Sequence, residues 1–170
     1  MRTETADPPG EDYPAFVERR AAPLHRTAYL LCGDWHLAND LVQETLAKTL
    51  RHWSRVQRAE HPDAYVHRIL INETHQHWRR HRRLVPLVAD QHDPALPDHS
   101  DGVVERTDLL RALLALPPRQ RATVVLRYLS GLTERETAQA LHCSVGTVKS
   151  QTSRALTTLK TFLDRTELCR

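Results

Sequence analysis

Six polar side chains recur within one short stretch near the carboxyl end of the chain, and none of them is an acid. They are Thr147, Lys149, Ser150, Gln151, Ser153 and Arg154. Arg and Lys can hydrogen-bond guanine, and Gln can hydrogen-bond adenine, in the major groove of DNA. A polar face near the amino end of a helix is typical of the second helix of a helix-turn-helix. The alternative is an ordinary amphipathic helical hairpin whose polar face meets solvent, and the absence of acids favours DNA binding.

The residues around this face predict the two helices that would position it. Thr133 followed by Glu136 is a capping box, which starts a helix through reciprocal side-chain to backbone hydrogen bonds. The pair His142-Cys143 forms a short turn, and Ser144 is a second N-cap. Apolar residues recur at helical spacing through both helices, which predicts a buried stripe. Its members are Ala138, Leu141, Val145, Val148, Ala155, Leu156 and Leu159.

A cluster of cations ends a second amphipathic segment, in the first half of the chain. Pro62 suits the first position of a helix, and the apolar spacing that follows predicts a helix over 62–83. The last five residues of that helix read R-R-H-R-R. Closely spaced arginines favour contact with phosphate groups. Three histidines on this helix, His75, His77 and His81, could ligate a metal, but no fourth ligand stands at a convincing spacing.

Composition limits the class of protein. The chain has 170 residues and a formal net charge of +3, with acids concentrated in the amino-terminal tail and in 90–108. Residues 109–170 carry ten Lys or Arg against four acids, which suits a nucleic-acid-binding domain. Three distant cysteines predict neither a disulfide framework nor a metal knuckle. Without a signal peptide or a membrane span, the sequence favours a cytoplasmic protein with no membrane insertion.

The pattern of helices and prolines predicts an all-α protein with two small helical domains. Residues 1–12 form an acidic, Pro-containing tail, which we expect to be disordered. Helices over 13–31, 36–53 and 62–83 make a first domain, 13–83, with a polar loop over 54–61. Pro23 is expected to kink the first helix or to start a new helical stretch. The predicted core face of the second helix comprises Leu41, Val42, Leu46, Leu50 and Trp53. Residues 84–103, with Pro86, Pro94 and Pro97, predict a flexible linker. Helices over 104–116 and 119–130 then join the helix-turn-helix in a second domain, 104–165, and we expect the two domains to move independently.

Three stretches together resemble one known family. A-N-D-L-V-Q-E-T-L-A-K-T-L at 38–50 and A-Y-V-H-R-I-L-I-N-E-T-H-Q-H-W-R-R-H-R-R at 64–83 resemble region 2 of sigma factors. L-P-P-R-Q-R-A-T-V-V-L-R-Y at 116–128, with L-T-E-R-E-T-A-Q-A-L and C-S-V-G-T-V-K-S, resembles region 4. The chain is identified as a member of the extracytoplasmic-function (group IV) sigma factors of the sigma-70 family. The resemblance spans about residues 13–160 in the family's order.

The resemblance assigns functions to particular residues. It implies that Asp40, Gln43 and Glu44 contact the β′ clamp helices of core RNA polymerase, although such residues alone suggest only a solvated helix face. It implies −10 promoter contacts from the 62–83 helix, and −35 contacts from the six polar residues after Ser144. The −10 candidates are Arg68, Asn72, Trp78, Arg79 and Arg80, where Trp78 could instead pack inside the protein. Arg119, Arg121 and Arg127 would position the phosphate backbone.

Further partners follow from the family. The implied partners are core RNA polymerase, through its β′ clamp helices and β flap, and promoter DNA, with an anti-sigma factor as a candidate inhibitor. Two positions depart from the family pattern. His142 stands where relatives usually carry Gly, which would matter if the turn needs a positive φ. Ile71 stands where many relatives carry Arg, just before Asn72.

Other classes of protein are disfavoured but distinguishable. The sequence lacks G-x-S-x-G, P-loop and H-E-x-x-H motifs, and its five glycines never cluster, so we predict no catalytic residue, metal or cofactor. One alternative is a stand-alone, dimeric DNA-binding regulator, which would bind duplex DNA tightly without polymerase. Another is an interaction module that binds polymerase without directing it, a function that should survive loss of the basic residues.

Overall fold

The computed structural model describes residues 12–84 and 104–167, and every regular element in these two ranges is a helix. The first range contains α1 (Tyr13–Cys32), α2 (Trp35–Arg51), α3 (Trp53–Gln57) and α4 (Pro62–Leu84). The second contains α5 (Val104–Ala115), α6 (Pro118–Val124), a π-helical segment (Val125–Leu129), α7 (Glu134–Leu141) and α8 (Val145–Glu167). The all-α architecture with two helical domains is confirmed. The predicted tail and linker lie outside the described residues, apart from Asp12 and Leu84.

The turn between α1 and α2 is set by the residue types at its ends. Gly33 adopts φ 78°, a left-handed conformation that glycine reaches without strain, and its N–H donates to the Tyr29 carbonyl over 2.7 Å. Asp34 then caps α2, since its carboxylate accepts a hydrogen bond from the Leu37 N–H at 2.9 Å. The two helices can therefore fold back as an antiparallel pair through a two-residue connection.

The buried stripe of α2 differs from the predicted one at its carboxyl end. Leu50 is 53% exposed, whereas Thr45 and Thr49 are fully buried. Their hydroxyls donate to the Leu41 and Thr45 carbonyls at 2.7 and 2.8 Å, so burial leaves no hydroxyl unsatisfied. A threonine whose hydroxyl donates to a carbonyl of its own helix can pack like a small apolar residue. A prediction from hydrophobicity alone therefore chose the wrong buried face at this end of α2.

Two other local predictions need correction. The predicted loop 54–61 contains the short helix α3, which Val56 anchors by burying its side chain to 1% exposure. Pro23 neither breaks nor restarts the first helix, because α1 continues through it from Tyr13 to Cys32.

The core of the first domain forms where α1, α2 and α4 meet. Phe16, Leu24, Val42 and Leu70 are almost completely buried there. Trp53 closes one end of this core, with its ring 5.0 Å from that of Phe16 and 5.4 Å from that of Tyr13. Such aromatic contacts add about 0.5–1.5 kcal/mol each beyond burial of their area.

The second domain packs α5, α6 and the π-helical segment against α7 and α8. Its buried side chains are mostly aliphatic and small: Leu110, Leu113, Leu116, Ala122, Val125, Leu126, Ala140, Val148 and Ala155. The π-helical segment is followed by Gly131 at φ 75°. There Leu132 N–H donates to the Leu126 carbonyl at 3.0 Å, which turns the chain back toward α7.

The two domains pack against each other, and the expectation that they move independently in solution stays a prediction. Helix α4 lies against α7, and α1 lies against α5 and the π-helical segment. Buried residues of both domains form one continuous hydrophobic cluster. Apolar surface between the domains is therefore removed from water, which supplies a driving force that neither domain pattern reveals alone.

Candidate nucleic-acid and polymerase interfaces

The first helix of the helix-turn-helix begins at the predicted capping box. Thr133 Oγ1 accepts a hydrogen bond from the Glu136 N–H at 3.2 Å, and the Glu136 carboxylate accepts one from the Thr133 N–H at 2.7 Å. Two of the free N–H groups at this helix end are thus satisfied within the motif itself. The start of α7 is fixed by local sequence.

The turn of the helix-turn-helix passes through His142 in the left-handed region, with φ 50° and ψ 50°. His142 is the one residue other than glycine that has a positive φ among the residues that the structure describes. The Cys143 N–H donates to the Ala138 carbonyl at 3.0 Å and closes the end of α7. The position therefore does need a positive φ, and a histidine in it bears a strain that glycine would avoid.

Helix α8 begins at Ser144, as the sequence predicts. Ser144 Oγ accepts a hydrogen bond from the Thr147 N–H at 3.1 Å. Val148 and Ala155 are fully buried, but Val145 and Leu156, which we predicted to face inward, are 36% and 44% exposed. The buried face of α8 is thus narrower than its apolar pattern, because only the middle of the stripe meets α6 and α7.

The six polar residues proposed for the −35 element share the opposite side of α8. Lys149, Ser150, Ser153 and Arg154 are exposed, and Thr147 and Gln151 are half-buried. Lys149 Nζ lies 3.7 Å from the Glu134 carboxylate of α7, so one acid borders the face that the sequence of α8 leaves without acids. Exposed pairs of this kind contribute little to stability, about 0–1 kcal/mol, and leave the lysine free to turn toward a DNA base.

The three arginines assigned to the phosphate backbone occupy three different environments. Arg119 is exposed at the start of α6. Arg127 is half-buried, and its Nη1 donates to the Leu132 carbonyl at 2.5 Å. Arg121 is only 8% exposed. Of the three, Arg119 is the one fully available to phosphate in this arrangement.

Arg121 has a structural role that its sequence position does not suggest. Its guanidinium donates to the carbonyls of Leu113, Leu114 and Leu116 at 3.0, 2.8 and 3.2 Å, which closes the end of α5. Its Nη1 also donates to the Leu31 carbonyl of α1 at 2.7 Å. A guanidinium has five N–H donors in a planar fork, so it can satisfy several carbonyls at once. The prediction that Arg121 contacts phosphate is therefore incompatible with its burial here.

Helix α4 presents the residues proposed for the −10 element. Asn72, Arg79 and Arg80 are exposed, and Trp78 is 42% exposed, so its indole is accessible rather than packed inside. Arg68 is half-buried and lies over the ring of Tyr65, with 4.4 Å between the guanidinium carbon and the ring centroid. That cation–π contact holds Arg68 along the helix surface. Tyr65 was not foreseen as its support, although the i, i+3 spacing on a helix is a signal for it.

The burial of Ile71 gives a structural reason for one departure from the family pattern. Its side chain is 3% exposed and belongs to the hydrophobic core. An arginine at this place would have to leave the core to reach DNA. In this chain the position before Asn72 stabilises the helix packing instead.

The polymerase-facing candidates lie on the exposed side of α2. Asp40, Gln43 and Glu44 are all exposed. Glu44 Oε1 lies 3.5 Å from Lys48 Nζ and 3.4 Å from Arg51 Nη2, and Lys48 Nζ also contacts Glu73 Oε1 of α4 at 2.5 Å. The surface thus carries two acids and an amide, and neighbouring cations hold the carboxylate of Glu44.

Two further findings concern metal-ligating side chains and the apolar character of the helices. Within residues 12–84 and 104–167, no group of three or more His, Cys, Asp or Glu side chains converges as a metal site would require. In the same ranges, none of the helices combines the length and the apolar character needed to cross a bilayer.

These observations define a two-domain helical protein with a helix-turn-helix in its second domain. The sigma-70 region 2 family matches residues 16–84, and the sigma-70 region 4 family matches residues 106–159. The chain is 35% identical to the RNA polymerase sigma-E factor of Streptomyces avermitilis over 158 residues, covering 92% of this chain and 88% of that protein. It is 32% identical to the ECF RNA polymerase sigma factor SigE of Mycolicibacterium smegmatis, over 87% of this chain and 60% of that protein.

A solved structure shares the arrangement. The sigma factor RpoE of Bartonella quintana, crystallised with the anti-sigma factor NepR, superposes with a TM-score of 0.70 at 27% identity. The match covers 88% of this chain and 96% of that one. The chain belongs to the sigma-70 family, in its extracytoplasmic-function branch. It is a sigma factor, a factor for transcription initiation by RNA polymerase.

Proposed function

We propose that this sigma factor binds core RNA polymerase through Asp40, Gln43 and Glu44 and directs it to promoters by reading two separate DNA elements. The observation that carries this proposal is the pair of exposed, cation-rich helix faces in different domains, on α4 and on α8. A simple repressor needs one such face in each subunit. Two different faces in one chain suit the recognition of a −10 and a −35 element.

The −10 element would meet α4 and become single-stranded there. Asn72 and Arg68 would contact the unpaired strand, Trp78 can stack on a base, and Arg79 and Arg80 provide charge for phosphates. The −35 element would remain duplex and receive the amino end of α8 in its major groove. Arg154 and Lys149 are suited to guanine, and Gln151 to adenine. Arg119 would contact a nearby phosphate without reading sequence.

The chain would contribute no catalytic step of its own, because the polymerase forms the phosphodiester bonds. Its activity would take place in the bacterial cytoplasm, on the nucleoid when polymerase is bound. Since the structural neighbour RpoE is bound to an anti-sigma factor, we also propose an anti-sigma partner for this chain. Co-purification of the tagged chain from its own cells, with and without stress, would reveal or refute that partner.

Transcription in vitro with bacterial core polymerase and a promoter library tests the main proposal. Specific run-off products should require this protein. Arg154→Ala should weaken promoter use about tenfold or more, the effect of losing a base contact worth about 1–3 kcal/mol. Lys160→Ala is the matched control, because it removes an exposed cation further along α8 and should change little.

A second variant tests the first domain. Asn72→Ala should reduce open-complex formation while leaving core binding intact. No transcription with core, together with tight binding of duplex DNA by the isolated protein, would instead establish a stand-alone regulator.

A further inference from the structure

A small cavity lies where α1, α4 and the end of the π-helical segment meet. Its volume is about 80 Å³, which leaves room for several water molecules or for one tetrahedral oxyanion. Part of its lining is apolar, and the polar groups come from Arg20, Arg26, Thr27, Asp63, His67 and Ser130. A few polar groups that converge from three elements on one enclosed space are the features of a ligand site.

His67 supplies a hydrogen-bond acceptor to this space. The side chain is 6% exposed, and its Nδ1 lies 2.8 Å from the Asp63 carbonyl oxygen. A carbonyl can only accept, so Nδ1 carries the ring proton. Burial keeps the pKa of His67 below its usual value, and the ring is therefore neutral at pH 7. Its Nε2 is then an acceptor, and no hydrogen bond reaches it from the residues that the structure describes.

An acceptor buried in this way favours a ligand that carries a donor. A buried polar atom without a partner is unfavourable, because it has lost the hydrogen bond that water gives it in the unfolded chain. A ligand with a hydroxyl group would restore that bond at His67 Nε2. The donor requirement restricts which small molecules fit the cavity.

The charged groups of the lining favour an anion. They are two arginines and one aspartate, and Arg20 of α1 is ion-paired with Asp63 of α4. Arg26 is exposed, so it marks the side on which the cavity opens to solvent, and within 12–84 and 104–167 no acid pairs with it. With His67 neutral, the lining thus keeps one unbalanced positive charge, that of Arg26.

Ser130 adds a donor that can change direction. Its Oγ is 2.8 Å from Thr27 Oγ1, and Thr27 Oγ1 itself donates to the Pro23 carbonyl at 3.0 Å. The proton between the two hydroxyl oxygens therefore belongs to Ser130, and rotation of that hydroxyl can turn it toward a ligand. Thr27 keeps its own bond to Pro23 in either case.

We propose that this cavity binds a small oxyanion that carries a hydroxyl group, of which inorganic phosphate is the simplest. Arg26 neutralises the anion, Ser130 donates to one of its oxygens, and its P–OH donates to His67 Nε2. Sulfate has the same shape but no proton at neutral pH, so it cannot make the bond to His67. Ser130 belongs to the second domain and His67 to the first, so a bound anion contacts both domains and stabilises the folded chain.

Isothermal titration calorimetry of the full chain at pH 7.5 and constant ionic strength tests this site. We expect saturable binding of inorganic phosphate, and an affinity for sulfate lower by about tenfold or more, because sulfate leaves Nε2 without a donor. Absence of saturable phosphate binding, or equal affinities for the two anions, would overturn the proposal.

Methyl phosphate distinguishes the free anion from a phosphomonoester. A phosphomonoester has its second pKa near 6, so at pH 7.5 it is mostly a dianion without a P–OH. We expect it to bind as weakly as sulfate. Binding of methyl phosphate as tight as that of inorganic phosphate would refute the contact between the hydroxyl group and His67.

Substitutions assign the site to its residues. Arg26→Gln removes the unbalanced charge from an exposed position and should weaken phosphate binding by about tenfold or more. Arg55→Gln is the matched control, because it removes an exposed arginine of α3 that does not line the cavity. Equal affinities of these two variants for phosphate would contradict the proposal.

His67→Phe separates the role of Nε2 from that of charge. The phenyl ring keeps most of the buried volume and removes the acceptor, so the affinity for phosphate should fall to that for sulfate. A preference for phosphate that survives in this variant would refute the role of His67. Ser130→Ala changes a half-buried side chain and should weaken both anions alike while keeping the preference, which tests the site without altering His67. Unchanged affinities in Ser130→Ala would count against the site.

Discussion

The two helices proposed to face DNA are positioned by different kinds of interaction. Helix α8 follows a turn and a cap whose hydrogen bonds each join residues three to five positions apart, all within 133–148. Helix α4 is held by residues far away in sequence. Lys48 Nζ of α2 contacts the Glu73 carboxylate at 2.5 Å, and Arg20 of α1 pairs with Asp63. The face proposed for the −35 element is therefore fixed mainly by local sequence, and the face proposed for the −10 element by tertiary packing.

This difference suggests that the two faces should respond differently to mutation. Substitutions in the turn should disturb α8 with little effect on the rest of the molecule. Substitutions between domains should alter stability and the exposure of α4 together, because one surface serves both. The four predictions below test this contrast, in order of decreasing effect.

The largest effect should come from Arg121, whose guanidinium serves both domains. Arg121→Ala removes the donor from four carbonyl oxygens, so we expect a loss of roughly 3–5 kcal/mol in the free energy of unfolding. Arg119→Ala is the matched control, because that side chain is exposed and its removal should change stability by about 0.5 kcal/mol or less. Urea denaturation measures both, and equal values would refute the structural role of Arg121.

A pair of glycines separates backbone strain from contact between domains. Gly33 and Gly131 have φ 78° and 75°, so Ala at either position is strained by about 1 kcal/mol. Only at Gly33 would the new methyl meet Leu114, whereas nothing lies within 4 Å at Gly131. We expect Gly33→Ala to lose about 2 kcal/mol and Gly131→Ala about 1 kcal/mol. In a double-mutant cycle, Leu114→Ala should remove the excess, and additivity of Gly33→Ala with Leu114→Ala would argue against the contact.

Mild acid should weaken the protein through the contact between α4 and α7. Burial keeps the pKa of His67 below its usual value, despite Asp63 and Glu136 nearby, and Arg20 acts in the same direction as burial. The unfolded chain therefore takes up a proton at a higher pH than the folded one, and stability falls as the pH drops below about 6.5.

Glu136 adds to the loss at lower pH. Although burial opposes it, the hydrogen bonds from Thr133 and the charges of His61 and His67 hold the pKa of Glu136 below its usual value. Its stabilising contribution is present above that usual value and is lost as the pH falls through the folded-state pKa. Unfolding curves between pH 7 and 5.5 separate the histidine contribution from that of Glu136. Burial and the charge of Arg119 also lower the pKa of His75, which contributes in the same direction. His67→Gln should therefore show a shallower but not a flat pH dependence there, and a slope equal to that of the unaltered protein would refute the contribution of His67.

The smallest effect should appear in the turn of the helix-turn-helix. His142→Gly relieves a left-handed strain of about 1–2 kcal/mol but increases the entropy of the unfolded chain, so a net gain of about 0.5 kcal/mol is expected. His142→Val should be destabilising, because a β-branched residue tolerates positive φ poorly. If the valine variant were as stable as the glycine variant by thermal unfolding, the turn would not have the φ of 50° that we describe.

Predictions succeeded where a short stretch carried all the relevant interactions. The capping box at Thr133, the cap at Ser144 and the end of α1 at Gly33 each depend on hydrogen bonds between groups a few residues apart. Prediction failed for Leu50, Val145 and Leu156, because an apolar pattern shows which residues can be buried but not where a neighbouring helix ends. It failed for Arg121 because a charged side chain is usually exposed unless carbonyl groups converge on it.

The sequence by itself determined the long helices, the caps at Thr133 and Ser144, the division into two domains and membership of the sigma-70 family. These properties depend on spacing along the chain, which folding does not change. The tertiary structure decided which arginine lies inside, how α4 is oriented and that the second domain packs on the first. Those outcomes depend on groups brought together across as many as 103 positions, as Thr27 and Ser130 are, and no local pattern encodes such a meeting. The free energy of that contact comes from apolar surface of both domains that is removed from water, and no stretch of sequence contains both surfaces.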